Sequence, residues 1–257
     1  MKSHQLIVPS EFDITKFSLV PQARVSSSNT KYMYPAYEED GKSRQLKMLT
    51  GEVNLQGGGI FPYSENYHPG GVDDVKRAFF HMQLEEGSDL LEMIEKLDNY
   101  YHEEININHN KNRNVSYAAD NGIRFPKQLR YKPMIFEKEF QEITRKFVKV
   151  NLDVDFNPQI DAKSPRVVQK INTMVFEEGK LVRTKYLSSF DQYLNWRNTC
   201  ALCIGVNKMV IYQDPANPKE RVCSLGLKCY QIDVLGGKDE GRPIHLKYNM
   251  FTGEELS

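Results

Sequence analysis

The sequence predicts a mainly β fold, a barrel or sandwich with helical insertions. Three observations predict it. Roughly eight to ten short runs alternate apolar and polar residues or are rich in Val, Ile, Tyr and Phe. Only one long run has clear helical spacing. No self-similar period of about 20–50 residues is present, which excludes solenoids and propellers. At 257 residues the chain can bury a core without disulfide or metal staples.

Residues 1–30 are expected to form an arm laid over the body. Their β-capable runs, Leu6–Val8 and Phe17–Val20, are interrupted by Pro9, Pro21 and the polar run Ser26–Thr30. Residues 31–235 are expected to be one β-rich domain, and residues 236–257 a loosely held tail ending in Gly-Glu-Glu-Leu-Ser. Within the domain, Lys31–Tyr37 and Arg44–Thr50 flank a Gly-bearing turn at Glu39–Gly41, which is hairpin grammar. Gly57–Gly59 marks a bend or a close backbone approach. No Lys-Ser/Thr follows it, so it is not a P-loop.

Arg77–Leu84 reads as a strand. Ser88 then caps a helix, with Asp89 and Glu92 near its positive end. Leu90, Leu91, Ile94, Leu97 and Tyr101 share one face, and the opposite face is acidic. An Asn-rich loop follows His102–Ile105. Tyr117–Pro126 is expected to be irregular and Leu129–Phe136 extended. Glu137–Lys146 is read as a short helix with Phe140, Ile143 and Phe147 on one side. Phe147–Phe156 alternates strictly, as a half-buried strand does. Val167–Phe176 and Lys180–Leu187 form a second expected hairpin, across Glu177–Gly179. Phe190–Asn195 is expected to be one helical turn.

The domain closes on the stretch from Trp196 to Val234, which holds the only Trp and all four Cys. Thr199–Tyr212 and Val222–Val234 are two strands. The loop Gln213–Arg221 joins them, its Pro215 and Pro218 unsuited to a central strand.

Formal net charge is zero, from 34 basic and 34 acidic residues, so a uniformly basic binder is excluded. The charge is uneven, however. Residues 85–105 carry eight acids against Lys96, and residues 124–149 carry eight bases against three acids. A local basic face is therefore open. No signal peptide or membrane-spanning run is seen. The ordinary cysteine content suits a reducing, intracellular compartment.

Cys200-x2-Cys203 has the spacing of a zinc knuckle, but Cys223-x5-Cys229 does not. These four cysteines are the metal set the sequence offers, and their apolar context favours core packing. The six His form no HExxH, and His81 is read as structural. No G-x-S-x-G or kinase set occurs. Asp153 and Asp155 share a strand face, which two-metal nucleases also use, but only with further carboxylates. No enzyme activity and no cofactor is expected.

What remains is interleaved aromatic and basic residues, the composition of a single-strand binder: cations for phosphates, flat rings for bases. The stacking candidates are Tyr32, Tyr34, Tyr131 and Trp196. The phosphate candidates are Lys31, Arg44, Lys47, Lys127, Arg130, Lys132, Arg197 and Lys228. Alternate strand residues point inward, so about half of these are expected to fail.

The order of elements resembles the OB-fold single-stranded DNA-binding proteins of nucleocytoplasmic large DNA viruses (poxvirus-like, asfarvirus-like and algal giant viruses). A Lys/Tyr strand is followed by KMLTGEVNLQGGGI, then a β-run entering an amphipathic helix and a basic extended segment. The closing hairpin ends in SLGLKCYQIDV. The likeness runs from about Arg24 to Val234. It implies an OB-like β-barrel with one prominent amphipathic helix. The implied role is coating single-stranded DNA in viral replication, repair or recombination, in the host cytoplasm or nucleus. Glu254 and Glu255 would correspond to acidic tails that compete with DNA or contact replication partners. Single-stranded DNA, replication proteins and further copies of the chain are the expected partners, with no membrane. A structural or assembly protein of a large virus particle is the alternative, since arms and Tyr-rich patches also make protein contacts.

Overall fold

The computed structural model describes residues 4–21, 31–55, 58–60, 74–103, 129–140, 142–157, 166–195, 198–214, 216–217 and 220–236. The elements in chain order begin with β1 (His4–Ile7), β2 (Phe17–Pro21), β3 (Lys31–Glu39), β4 (Lys42–Asn54) and β5 (Gly59–Ile60). A single helical turn, α1 (Asp74–Arg77), leads into β6 (Phe79–Leu84) and the main helix α2 (Asp89–Tyr101). Then come β7 (Leu129–Tyr131), β8 (Ile135–Phe140), β9 (Ile143–Leu152), β10 (Val154–Phe156) and β11 (Val168–Ile171). The last strands are β12 (Met174–Glu177), β13 (Lys180–Val182), β14 (Thr199–Gln213) and β15 (Arg221–Gly236). The fold is mainly β, a curled half-barrel with few helices.

The closing hairpin is the spine of the 13-stranded sheet. β14 pairs β15 antiparallel from Thr199↔Gly236 to Gln213↔Arg221. The far edge of β14 meets β4 along Thr199–Ile204 and β3 along Met209–Ile211. The far edge of β15 meets β7, β9 and β12 in succession, all parallel. Register shifts in β14 at Cys203/Ile204 and Val206/Lys208 add local twist where the neighbour changes.

Strand side chains alternate between faces. One face of the spine carries Leu202, Ile204, Val206, Met209, Leu225 and Leu227, all buried in a single apolar cluster. α2 closes that cluster with Leu90, Leu91, Met93, Ile94, Leu97 and Tyr101. The Ser88 hydroxyl accepts from the Leu91 N–H at 3.2 Å, the expected N-cap. Residues 4–21 are built into the body: β1 pairs β4, β2 pairs β3, and Phe12 and Phe17 enter the core.

The hairpin at Lys31–Thr50 forms as expected. Its turn has consecutive left-handed residues, Asp40 (φ 51°) and Gly41 (φ 70°), which match strand twist. The close approach expected at the glycine triplet is real at Gly58, where a Cβ would meet the His81 carbonyl oxygen at 2.2 Å.

Several expectations are corrected. Glu137–Lys146 is not a helix but the β8–β9 hairpin, turned at Glu142 (φ 67°). Phe147 is buried by pairing with its cross-strand partners Gln83 and Phe136, while Ile143 stays exposed, so tertiary pairing overrides a short helical spacing. The strand expected from Arg77 starts at Phe79, because Arg77 lies in α1 and pairs with Asp191. The strands expected over Phe147–Phe156 and Val167–Phe176 are each broken. Thr173 is the reason: its hydroxyl accepts from the Asp153 N–H (2.7 Å) and donates to the Cys229 carbonyl (2.9 Å). The β12–β13 turn does lie at Glu178–Gly179.

Gly205 packs against its neighbours so closely that a Cβ would lie 2.6 Å from the Leu46 carbonyl oxygen and 3.2 Å from the Tyr230 ring. Gly205→Ala is expected to lower stability by about 1–3 kcal/mol, since backbone must move. Urea unfolding checks this as a lower midpoint at unchanged slope. A midpoint equal to wild type overturns the close-approach account.

Candidate nucleic-acid interface

The sheet face turned away from α2 collects lysines over aromatic rings. Strand parity places Tyr32 and Tyr34 of β3, Lys47 of β4, Lys208 of β14, and Lys228 and Tyr230 of β15 on this face. Lys208 Nζ lies 4.2 Å from the Tyr32 ring centroid, and Lys47 Nζ lies 4.1 Å from that of Tyr230. Each contact holds an ammonium at a ring face, worth about 0.5–2 kcal/mol. The Tyr230 ring lies beside Gly205, and its hydroxyl accepts from the Gln45 amide at 2.6 Å. Burial, with Asp153 nearby, pushes the Tyr230 phenol up to about 12.

Among the described residues neither Lys47 nor Lys208 forms an ion pair. Burial, with Lys228 beside it, lowers the Lys208 ammonium below its ordinary value. Lys228 itself pairs with Asp153 at 2.8 Å.

The face continues onto β6, β8 and β9. Phe79, His81 and Phe136 form a row of rings with centroids 5.6 and 5.0 Å apart. Phe136 stacks on Phe147 at 6.1 Å. Lys149 Nζ lies 3.7 Å from the Phe79 centroid, and Lys138 Nζ 4.9 Å from that of Phe147. Burial first, then the charges of Lys138 and Lys149, hold His81 down at about 4. The neutral ring therefore accepts at Nδ1 from the Lys138 ammonium, 3.1 Å away, with its proton on Nε2.

On the helix side, by contrast, one lysine is held by two acids. Lys146 is on the helix side of β9 and pairs with Glu86 (3.3 Å) and Glu95 (3.0 Å).

The expected site residues divide accordingly. Tyr32, Tyr34, Lys47 and Lys228 come together on this face. Tyr131 is corrected: it is buried in the core, and its hydroxyl donates to Asp98 at 2.7 Å, so it cannot stack a base. Arg44 is corrected too, because it shares the parity of Leu46 and Met48 and points to the helix side. Arg130 lies near the β14–β15 loop, where Asp214 (2.6 Å) and Glu220 (3.8 Å) neutralise it. Lys132 is exposed beside Lys149. Lys127, Trp196, Arg197 and the Lys31 side chain lie outside the described residues, as do Glu254 and Glu255.

Lys138, Lys149, Lys208, Phe79 and Phe136 lie outside the expected set. Lys208 was masked by the register shift beside it, and the β8 pair by the helical reading of Glu137–Lys146. Tyr230 was legible from its alternation with Cys229.

The cysteines serve packing. Cys200, Cys223 and Cys229 are buried, and Cys223 lies at the opposite end of the spine from the other three. Burial raises the Cys200 and Cys223 thiols to about 12. Among the described residues no three His, Cys, Asp or Glu converge to hold a metal. Asp153 is engaged by Lys228, and Asp155 accepts from Asn172. Among the described residues no helix is long and apolar enough to cross a membrane. No protein-family model matches the chain, and a search of curated proteins finds no match.

Proposed function

We propose that this protein binds single-stranded DNA without sequence preference and without catalysis, through the lysine-and-ring face of its sheet. The observation that carries the reading is the pair of lysine–tyrosine contacts, Lys208 over Tyr32 and Lys47 over Tyr230, on the face opposite the helix. When a base takes the ring face, the flexible lysine beside it is free to swing to the phosphate. Readout by stacking tolerates sequence, because every base has a flat face. Duplex does not suit the face, since its bases are already stacked. An OB-like fold is part of this proposal: a curled sheet with a helix on one face and ligand on the other. The role proposed is protection of exposed strands during DNA replication, repair or recombination, in a virus as the resemblance implies.

Titration of fluorescein-labelled oligo-dT, with duplex of equal length beside it, tests the reading at several salt concentrations. Binding to the single strand is expected to weaken with salt by a log–log slope of about 0.7 per phosphate contact. Equal or tighter binding to duplex, or no binding at low salt, overturns it. The competing assembly reading draws on the exposed Met174, Leu181 and Tyr186 around the β12–β13 hairpin. Pull-downs would then follow.

A further inference from the structure

We infer that the β6–β8–β9 flank is a second, separate phosphate subsite, in which Lys138, Lys149 and His81 hold an oxyanion above the rings of Phe79 and Phe136. The ligand is a phosphate oxyanion, and under the single-strand reading, on which the inference rests for its source, a nucleic acid supplies it.

The geometry argues for a receptor rather than a solvated face. Three nitrogen-bearing side chains converge from three strands. His81 and Lys149 are cross-strand partners, and Lys138 reaches His81 Nδ1 at 3.1 Å. Their floor is apolar: His81 lies between Phe79 and Phe136, and Lys149 covers Phe79 at 3.7 Å. A charge held against rings and partly out of water interacts more strongly with an incoming anion than one fully hydrated.

β9 also supplies an internal comparison. Lys146, on the helix side, has two carboxylates, whereas Lys149, on this face, has none among the described residues. Among the described residues, two more cations stand by the cluster: Lys132 beside Lys149, and Arg145, which donates to Gln83 at 3.2 Å. Burial, and after it repulsion from Lys138 and Lys149, keeps His81 neutral. An oxyanion among them reverses that repulsion, so binding draws a proton onto His81.

The flank also continues the central site. Lys228 and Phe79 both face Asn151 across neighbouring strands, so the two sites adjoin along β9. With strands about 4.8 Å apart, one strand of nucleic acid can cross both.

The test uses the full chain in two measurements. The first follows the His81 ring signal by NMR across pH, assigned with His81→Gln, alone and with inorganic phosphate, 5′-phosphorylated oligo-dT or unphosphorylated oligo-dT. The expected result is an upward shift of the His81 midpoint with both oligonucleotides. A shift with the phosphorylated one alone assigns the site to a terminal phosphate rather than an internal diester, and still supports it. The second measures the salt dependence of oligo-dT binding by Lys138→Gln/Lys149→Gln. Its slope is expected to fall by about 1.4, for two contacts at about 0.7 each. The His81 measurement needs no stable lysine variant. Tight oligo-dT binding with an unmoved His81 overturns the subsite and leaves the single-strand reading standing. A His81 shift with inorganic phosphate, but no oligo-dT binding, supports the anion site and overturns the single-strand reading. No response to any probe overturns both.

Discussion

Asp98→Ala is expected to lower the stability of the fold by about 3–5 kcal/mol, because three donors lose one buried acceptor. Asp98 sits on α2 and is only 6% exposed. Its carboxylate accepts from the Tyr131 hydroxyl (2.7 Å) and from the backbone N–H groups of Met134 (3.0 Å) and Ile135 (3.0 Å). These bonds fasten the helix to the β7–β8 connection, so the loss exceeds that of a side chain alone. Each donor left bare in the interior costs about 1–3 kcal/mol, and partial entry of water keeps the sum near the lower end.

Asp98→Asn is expected to fall between wild type and alanine, since its oxygen still accepts while its amide faces a donor. Urea unfolding checks both variants, and a loss below about 1 kcal/mol for alanine would show the network to be dispensable. Burial lifts the Asp98 pKa above its ordinary value despite the three donors. The native state therefore holds this proton at a pH where the unfolded chain has released it. The group's contribution is fully present at low pH and declines as pH rises from the unfolded pKa of 3.8 through the raised one. Oligo-dT affinity of the folded Asp98→Asn variant is expected to stay within about twofold of wild type, because the site lies on the opposite face.

Tyr230→Ala is expected to weaken single-strand binding by about 5- to 150-fold, and Tyr32→Ala by a similar factor. That range corresponds to about 1–3 kcal/mol for each stacked base. Tyr230→Phe separates ring from hydroxyl: it keeps the stacking surface and the Lys47 contact and gives up the Gln45 bond. It is expected to bind as wild type does, whereas Lys47→Gln and Lys208→Gln each reduce the salt slope by about 0.7. Fluorescence titration at fixed salt, beside circular dichroism for folding, measures these effects. Wild-type affinity in a well-folded Tyr230→Ala variant would remove the central face from the proposal.

Much of the architecture was legible in local pattern. The spine hairpin was marked by two apolar β-runs around prolines at 215 and 218. The cap, buried face and acidic face of α2 followed from Ser88 and the 3.6-residue period, and the first hairpin from its Gly-bearing turn. The breaks at Asp153 and Thr173 were not legible, because they depend on a hydrogen-bond bridge to the Cys229 carbonyl, 56 residues beyond Thr173. Nor was the β8–β9 hairpin, since apolar residues spaced three and four apart also satisfy a helix.

By itself the sequence determined the mainly β class, the helix, the central hairpin, and a supply of lysines and rings at strand spacing. These are properties of neighbouring residues, set by backbone sterics and side-chain alternation. Only the tertiary structure decided which of those residues meet. It withdrew Tyr131 into the core by setting Asp98 opposite its hydroxyl, and neutralised Arg130 with Asp214 and Glu220. It neutralised Lys146 with two glutamates while leaving Lys149, on the same strand, over a phenylalanine ring. Electrostatic pairing and burial depend on distance in space, and a chain of zero net charge conceals its lysine-and-ring face until the sheet sets each charge beside a partner or a ring.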